Sequence, residues 1–354
     1  MFSGVLLKNL LQSKGKNMTG VEDPRSAPGL RWGIIGAGFI AGKFVNAASR
    51  HTNSKVVAIA SRERKKAEEF AAKNGVPQIK VGYEALVEDP EIDAIYVATP
   101  HSFHKEHALL AIAAGKPVLV EKPFTRNERE GQEVFDSARN SRVFAMEAMW
   151  SLFLPHIAAI RGVIARGELG EIIHVHADHG QFFPFDPEHR IYNRDLSGGA
   201  LLDLGVYPIS FVQNILGEPT AITSVGVMTE TNVDGQLSII FGYSNRTQAT
   251  VYSTMWGLTS ISARITGTEG RLEVNGPFLR PTSFTVTRRD GTCWNFNAEV
   301  QNGFQYEIAE VARCVSEGKI ESRLLPHSST IAVLRTMDEI RRQIGLVYPG
   351  ENLK

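Results

Sequence analysis

The feature that most constrains this chain is a glycine turn set between two periodic segments. The apolar run Trp32 to Ile35 is followed at once by Gly36-Ala37-Gly38-Phe39-Ile40-Ala41, and a helical pattern extends from Gly38 to about Arg50. A strand that ends in such a turn and opens a helix is suited to a pyrophosphate. Gly36 permits the tight turn, Gly38 lets the backbone come close, and the small Ala41 allows the helix to lie against the strand. The N–H groups of the first helical turn, Phe39 and Ile40 included, then meet the anion at the positive end of the helix dipole. A plain glycine turn with no ligand is the alternative, and the alternating pattern downstream weighs against it.

That alternation continues for five more segments. A second apolar run, Val56 to Ala60, precedes a charged helix from Arg64 to Asn74. Ile92 to Thr99 and Pro117 to Val120 are further buried-strand candidates, separated by the helical pattern His104 to Ala114 with Gly115 at its end. Strands alternating with helices of this length imply βαβ units and a parallel sheet. Residues 30–150 are therefore expected to form a doubly wound, Rossmann-type α/β domain that binds a dinucleotide.

After Trp150 the texture changes. A helical stretch from Pro155 to Arg166 leads to Ile172 to His179, and six β-rich runs follow: Ile222 to Thr229, Gly235 to Tyr243, Thr247 to Met255, Ser260 to Thr266, Gly270 to Val274 and Ser283 to Arg288. Short connections between such runs favour an antiparallel meander. Helices over about Gln305 to Glu317 and Ser328 to Gln343 close the chain. Residues 151–354 are read as an α+β domain for substrate and oligomerisation, with a large open, mostly antiparallel sheet. Leu237, Ile239 and Phe241 alternate with Ile240 and Tyr243, so both sheet faces need covers. One cover is expected to be helical and the other a second subunit, which makes a homodimer or a dimer of dimers.

Size and charge fit this picture. At roughly 150 residues per domain, 354 residues predict two domains. Lys plus Arg and Asp plus Glu both number 38, so no global field draws the protein to nucleic acid or to an anionic membrane surface. The chain is 43% apolar and 21% charged, as in ordinary soluble proteins. No uncharged apolar run approaches the length of a membrane span. Cys293 and Cys314 cannot build a disulfide framework, which points to a reducing, cytoplasmic setting. Residues 1–29 hold one short apolar patch, Val5 to Leu11, and a Pro24 to Pro28 segment; they read as a disordered leader, with Met18 a possible natural start.

The end of the second strand decides which dinucleotide fits. About twenty residues past the glycine turn, an NAD-binding chain usually places an acid for the ribose hydroxyls. Ser61-Arg62-Glu63-Arg64-Lys65-Lys66 stands here instead. A hydroxyl and a guanidinium suit a 2′-phosphate, so NADP is favoured over NAD, with Ser61 and Arg62 as its ligands. Arg64, Lys65 and Lys66 are equally readable as a solvated helix face.

Two further segments fall at the carboxyl edge of the expected sheet, where doubly wound folds place ligands. Thr99-Pro100-His101-Ser102-Phe103-His104 follows one strand and Glu121-Lys122-Pro123 another. Thr99, Pro100, His104, Glu121 and Lys122 are taken as cofactor-side residues. An ammonium at a buried strand end needs a partner or a substrate, which makes Lys122 the first catalytic candidate. In the second domain, the run from Gly198 to Tyr207 places Asp203 and Tyr207 four apart, on one face of a helix. A tyrosine beside an ammonium, its pKa lowered, could take a hydroxyl proton during hydride transfer. A buried Tyr bonded to Asp is the structural alternative.

These residues resemble the glucose-fructose oxidoreductase / inositol dehydrogenase / rhizopine-catabolism (Gfo/Idh/MocA) oxidoreductases over nearly all of residues 30–345. Glu121-Lys122-Pro123, Met146-Glu147-Ala148-Met149-Trp150 and Gly-Gly-Ala-Leu-Leu-Asp-Leu-Gly-Val-Tyr at 198–207 are most similar to the dimeric trans-dihydrodiol dehydrogenase and NADP-dependent D-xylose dehydrogenase branch. The resemblance implies that Lys122 is the catalytic lysine, Asp203 the helix aspartate and Tyr207 the acid/base. Lys122, Trp150, Arg190, Asp203 and Tyr207 are placed on the substrate side. Two departures stand out: Ser151-Leu152-Phe153 where the branch often carries an arginine, and His101 where asparagine is common. His174 and His176 on one strand face, with Asp178 beside His179, and the segment with His101, His104 and His107 have spacings that invite a metal, but nothing completes a ligand set and no metal is expected. The function expected is hydride transfer between NADP and a secondary or anomeric hydroxyl of a sugar or cyclic vicinal diol. The alternative is a non-catalytic, dinucleotide-bound sensor, against which the retention of Lys122, Asp203 and Tyr207 argues.

Overall fold

A computed structural model describes residues 20–297 and 300–351. Six short strands form the first sheet: β1 (Arg31–Ile35), β2 (Lys55–Ala60), β3 (Gln78–Lys80), β4 (Ala94–Val97), β5 (Val118–Glu121) and β6 (Ala145–Ala148). Their order is β3-β2-β1-β4-β5-β6 and every pairing is parallel. Strands β4, β5 and β6 are buried at every position, which is why they read as continuous apolar runs rather than alternations. The order in which strands are added reverses between β1 and β4, and a crevice opens there beyond the strand ends.

The second sheet has eight strands: β7 (Ile172–Gly180), β8 (Ala221–Met228), β9 (Asp234–Gly242), β10 (Gln248–Thr254), β11 (Ala263–Gly267), β12 (Gly270–Val274), β13 (Ser283–Arg288) and β14 (Cys293–Asn297). The order β14-β13-β12-β11-β7-β10-β9-β8 corrects the expected simple meander. Strand β7 arrives first and becomes the middle of the sheet. It pairs parallel with β10 and antiparallel with β11, and two antiparallel meanders grow outward from it.

One face of this sheet is packed. Leu237, Ile239 and Phe241 of β9 are almost fully buried. Helices Val206–Leu216 and His327–Ile344 lie against it, the latter close enough that a Cβ at Gly226 would meet Ile344 Cγ2 at 2.9 Å. On the other face Val225, Val227 and Ile240 stay exposed at 67%, 48% and 51%. The alternation expected for β9 holds for Ile240, while Tyr243 lies beyond the strand and belongs to the same alternate set as Phe241; only one of the two sides is covered among the described residues.

The leader reading needs correction at its end. The Val5 to Leu11 patch and Met18 lie outside the described residues, but the segment through Pro28 is folded. Asp23 accepts from the Arg25 N–H to start a turn at Pro24–Ser26, and Asn53 Nδ2 donates to the carbonyls of Arg25 and Ala27. Ala27 is 1% exposed against Ala309 and Ala312. Small and turn-forming residues that look like a linker are here a plug for a helix surface.

One helical stretch, Arg194–Leu216, has the length and hydropathy of a membrane span, yet 78% of that window is buried inside the protein. It is a core element, and it carries Asp203.

Candidate active site

The nucleotide turn forms as its sequence dictates. Gly36 has φ +108°, and a Cβ there would lie 2.6 Å from the Ala98 carbonyl oxygen, so this position cannot take a side chain. Gly38 begins helix Phe39–His51 with no side-chain cap, and a Cβ there would enter open space. The first-turn N–H groups are therefore left for an external acceptor, with no acidic residue in that turn to oppose an anion. Ala41 is fully buried, as its packing role requires, whereas Phe39 is 81% exposed; Phe39 and Ile40 can serve a ligand only through their backbone.

At the end of β2, a cleft of about 230 Å³ is lined by Ser61, Arg62, Arg64, Lys80, Tyr83 and neighbours. The Arg62 guanidinium lies over the Phe103 ring at 4.8 Å, and no carboxylate is paired with it among the described residues. Arg64, Lys65 and Lys66 are instead paired with Glu68, Glu69 and Glu63, as on a solvated helix face, although Arg64 also lines the cleft. Glu63, the carboxylate next to Arg62 in sequence, is thereby occupied by Lys66. The cleft suits a 2′-phosphate on the strength of its donors, the Arg62 guanidinium and the Ser61 hydroxyl, although the Glu84 carboxylate also lines it. Tyr83 was missed from the sequence because the short helix Tyr83–Val87 that bears it shows no periodicity.

Two expected cofactor-side residues prove to be internal. His104 is fully buried, its Nδ1 2.8 Å from the Pro123 carbonyl and its Nε2 2.8 Å from the Thr99 carbonyl. It ties the loop after β4 to the loop after β5 and offers no atom to a ligand; burial pushes its pKa down to about 4. Glu121 is 6% exposed, its carboxylate accepting from the Tyr96 hydroxyl and the Lys122 N–H. Adjacent strand residues point to opposite faces, so the strand that sends Lys122 to the crevice sends Glu121 into the core. Thr99 Oγ1 lies 3.0 Å from His107 Nδ1.

The catalytic candidates converge. Lys122 Nζ donates to the Asp203 carbonyl at 2.8 Å and to Asp203 Oδ1 at 3.0 Å, and lies 4.9 Å from the centre of the Tyr207 ring. Arg190 holds the other carboxylate oxygen at 3.0 Å, so the substrate-side arginine acts on Asp203. Trp150 Nε1 donates to the Tyr207 hydroxyl at 3.3 Å, and its ring stacks on Phe304. His101, noted in the sequence only as a departure, is buried between the Ser197 carbonyl, 3.1 Å from Nδ1, and Asp203 Oδ1, 3.9 Å from Nε2. His179, noted from the sequence only among the histidines weighed for a metal, meets the Tyr207 ring edge-on at 5.4 Å. Alternation along β7 was its one available signal.

The local backbone explains why Asp203 reaches Lys122. Residues Leu201–Gly205 form a π-turn that runs into helix Val206–Leu216, so the simple spacing of four on an α-helix does not describe the Asp203–Tyr207 pair. Such turns are inserted where a side chain must be re-aimed. Asp234 anchors the start of this stretch: its Oδ2 accepts from the Leu201 N–H at 2.6 Å, and a Cβ at Gly199, φ +116°, would fall 2.1 Å from Asp234 Oδ1.

Electrostatics follow from two cations around one buried acid. Burial alone would raise the Asp203 pKa, but Lys122, Arg190 and His101 hold it well below the usual carboxylate range. Burial opposes the charge on Lys122, yet Asp203 and Tyr207 outweigh it and raise the lysine. Tyr207 corrects the expectation of a lowered pKa. Burial raises it, and the Lys122 ammonium only partly offsets this, so the phenol holds its proton at neutral pH. The cluster keeps a net positive charge facing the crevice, suited to a developing oxyanion. Among the described residues, no group of three His, Cys, Asp or Glu is placed to hold a metal; His176 Nδ1 lies 2.9 Å from Thr250 Oγ1.

Comparison with known proteins places this geometry. Residues 30–148 match the GFO/IDH/MocA "Oxidoreductase family, NAD-binding Rossmann fold", and residues 157–273 match the GFO/IDH/MocA C-terminal domain. The chain belongs to the Gfo/Idh/MocA oxidoreductase family. It is similar to trans-1,2-dihydrobenzene-1,2-diol dehydrogenase of Danio rerio, at 38% identity over 91% of this chain and 99% of that protein. A D-xylose 1-dehydrogenase (NADP(+)) of Hypocrea jecorina is 34% identical over 90% and 93%. Among solved structures, a 3-ketoreductase from Actinomadura kijaniata in complex with NADP and TDP-benzene superposes with a TM-score of 0.80 at 27% identity, covering 90% of this chain and 98% of that one. This Gfo/Idh/MocA protein is thus an oxidoreductase with a dinucleotide-binding first sheet and the family's second sheet.

Proposed function

We propose that this protein transfers a hydride between NADP and a secondary or anomeric hydroxyl of a sugar or cyclic vicinal diol. The observation that carries the reading is the meeting of Lys122, Asp203 and Tyr207 at the crevice beyond the strand ends. The relatives, a diol dehydrogenase and a xylose dehydrogenase, support the substrate class. Gly36, Gly38 and the first turn of helix Phe39–His51 would hold the pyrophosphate, Ser61 and Arg62 the 2′-phosphate, and Thr99 and Pro100 the edge nearest the site. NADP bound there supplies the hydride acceptor or donor.

The chain's own groups handle the proton and the oxygen. Lys122, held by Asp203, whose other carboxylate oxygen is held by Arg190, presents its ammonium to the substrate oxygen and stabilises negative charge as it develops. Tyr207 exchanges the proton with that oxygen, and the Trp150 indole holds the phenol in place. Because the resting phenol is protonated, the site is poised at neutral pH to protonate a reduced carbonyl. Oxidation requires the proton to leave first. Arg190 and Trp150 border the substrate side.

Measuring NADPH formation against pentoses, hexoses, anhydro sugars and diols tests the assignment, with turnover of at least one expected. Cofactor binding without turnover across the panel would favour the sensor reading.

The same reading extends to assembly and location. A homodimer, or a dimer of dimers, is supported by the open face of the second sheet with its exposed Val225, Val227 and Ile240. Light scattering at micromolar concentration is expected to give twice the chain mass or more, and a monomer would count against it. A cytoplasmic location is supported by the two unpaired cysteines.

A further inference from the structure

The last described residues lie where the two halves of the active site meet. Tyr348 is 1% exposed, and its hydroxyl donates to the Gly198 carbonyl at 2.5 Å. Arg194 donates to the Val347 carbonyl through Nε at 3.1 Å and through its terminal nitrogen at 2.6 Å. Both contacts fall on the loop that enters the π-turn carrying Asp203. On the other side, the Glu351 carboxylate accepts from Asn127 Nδ2 at 2.5 Å, and Arg126 donates to the Pro349 carbonyl at 3.0 Å. Arg126 and Asn127 belong to the segment that leaves β5 through Lys122.

A buried pair organises the turn between these contacts. Arg341 is fully buried; its guanidinium donates to Glu351 at 2.9 and 3.3 Å and to the Arg126 carbonyl at 3.1 Å, and it lies over the Tyr348 ring at 4.9 Å. Glu351 also accepts from the Tyr348 N–H at 3.0 Å. A charge pair removed from water depends on its geometry; the two terminal nitrogens of Arg341 are bonded while its Nε has no partner among the described residues, and the pair fixes the shape of the turn that reaches both segments.

We propose that the turn Leu346–Glu351 is a clamp that sets the working separation of Lys122 and Asp203, with Tyr348 and Glu351 as positioning residues for hydride transfer. The clamp touches neither substrate nor cofactor. It grips Gly198 upstream of Asp203 and Asn127 downstream of Lys122, so the two sides of a 3.0 Å ion pair are held by one six-residue turn. The inference rests on the reading of Lys122, Asp203 and Tyr207 as the hydride-transfer site.

The test uses the full chain with Tyr348→Phe and Glu351→Gln, scored by kcat, KM for NADP and thermal midpoint. Val286→Ala, in β13 away from the clamp, serves as a control for lost stability. Each clamp variant is expected to lower kcat about five- to tenfold, the scale of one lost hydrogen bond expressed in the transition state, with KM for NADP nearly unchanged. Placed in a Lys122→Ala background, Tyr348→Phe is expected to add almost nothing, because the pair it serves is gone. Unchanged kcat in both clamp variants overturns the proposal. So does an equal fall in kcat in Val286→Ala at the same loss of thermal midpoint. Near-normal turnover by Lys122→Ala itself overturns the reading of the site instead, and so the two failures are told apart.

Discussion

The two ends of the crevice are built on opposite plans. The nucleotide end is local and open: the Gly36 turn and the Ser61-Arg62 corner each lie within a few consecutive residues, and the cleft beside Arg62 faces solvent. The reacting end is assembled from distant segments and closed, with a half-buried Lys122 after β5 and Asp203 in a π-turn of the other half, buried with Tyr207. Charge in the open region is screened and each contact acts nearly alone. In the closed region two cations, an acid and a phenol shift one another's protonation. Binding at the first should therefore respond to substitution in separable steps, and chemistry at the second should respond as a unit.

The sharpest way to break that contrast is at the closed end. Lys122→Ala and Tyr207→Phe are each expected to lower kcat by about 10²- to 10⁴-fold, the usual worth of a positioned proton-transfer group, with cofactor affinity little changed. The double variant should be scarcely worse than the poorer single one, because the relay fails when either part is lost. Independent, multiplying losses in steady-state kinetics would show that the two residues do not act together.

At the open end the effect should be smaller and confined to one ligand group. Arg62→Ala is expected to raise the Michaelis constant for NADP roughly ten- to a hundredfold, as for one charge-assisted hydrogen bond of about 1.5–3 kcal/mol. The constant for NAD should stay near its starting value. Equal effects on both cofactors would remove Arg62 from the 2′-phosphate.

Acidity gives the finest comparison. Tyr207 and Lys122 are both raised, so the pair keeps its protons through neutral pH. Oxidation needs one of them gone, and its rate should climb with pH by up to about tenfold per unit below the apparent pKa of the pair. Reduction uses the protonated form, so it should stay level through neutrality and fall on the alkaline side. A pH–rate profile in each direction reads this, and an oxidation rate that declines between neutral and alkaline pH would refute it.

How far these regions could be read from sequence follows the same division. The turn at Gly36, the corner at Arg62 and the alternation of buried runs with helices depend on neighbours in the chain, and they stand where local chemistry puts them. The lysine after β5 was legible because an ammonium at a buried strand end demands a partner. What escaped depends on other segments. Spacing alone places Asp203 and Tyr207 on one α-helical face, and the π-turn that re-aims Asp203 is held by Asp234 from another strand. The raised phenol reflects burial that no sequence window reports. His104 looked like a ligand because its loop lies at the sheet edge, but two backbone carbonyls claim its ring. Strand β3 and helix Tyr83–Val87 are too short to show a period, and the parallel pairing of β7 with β10 reflects which strand reaches the sheet first.

That placement of β7 bears on how the chain is made. Its partners on either side, β10 and β11, span residues 248 to 267. During synthesis the strand with His174 and His176 therefore emerges with both edges bare and stays so while the helix with Tyr207 and two further strands are produced. Edges of this kind are where a growing chain pairs wrongly or meets a neighbour. The middle of the finished sheet, its best protected strand, is the one exposed longest at birth.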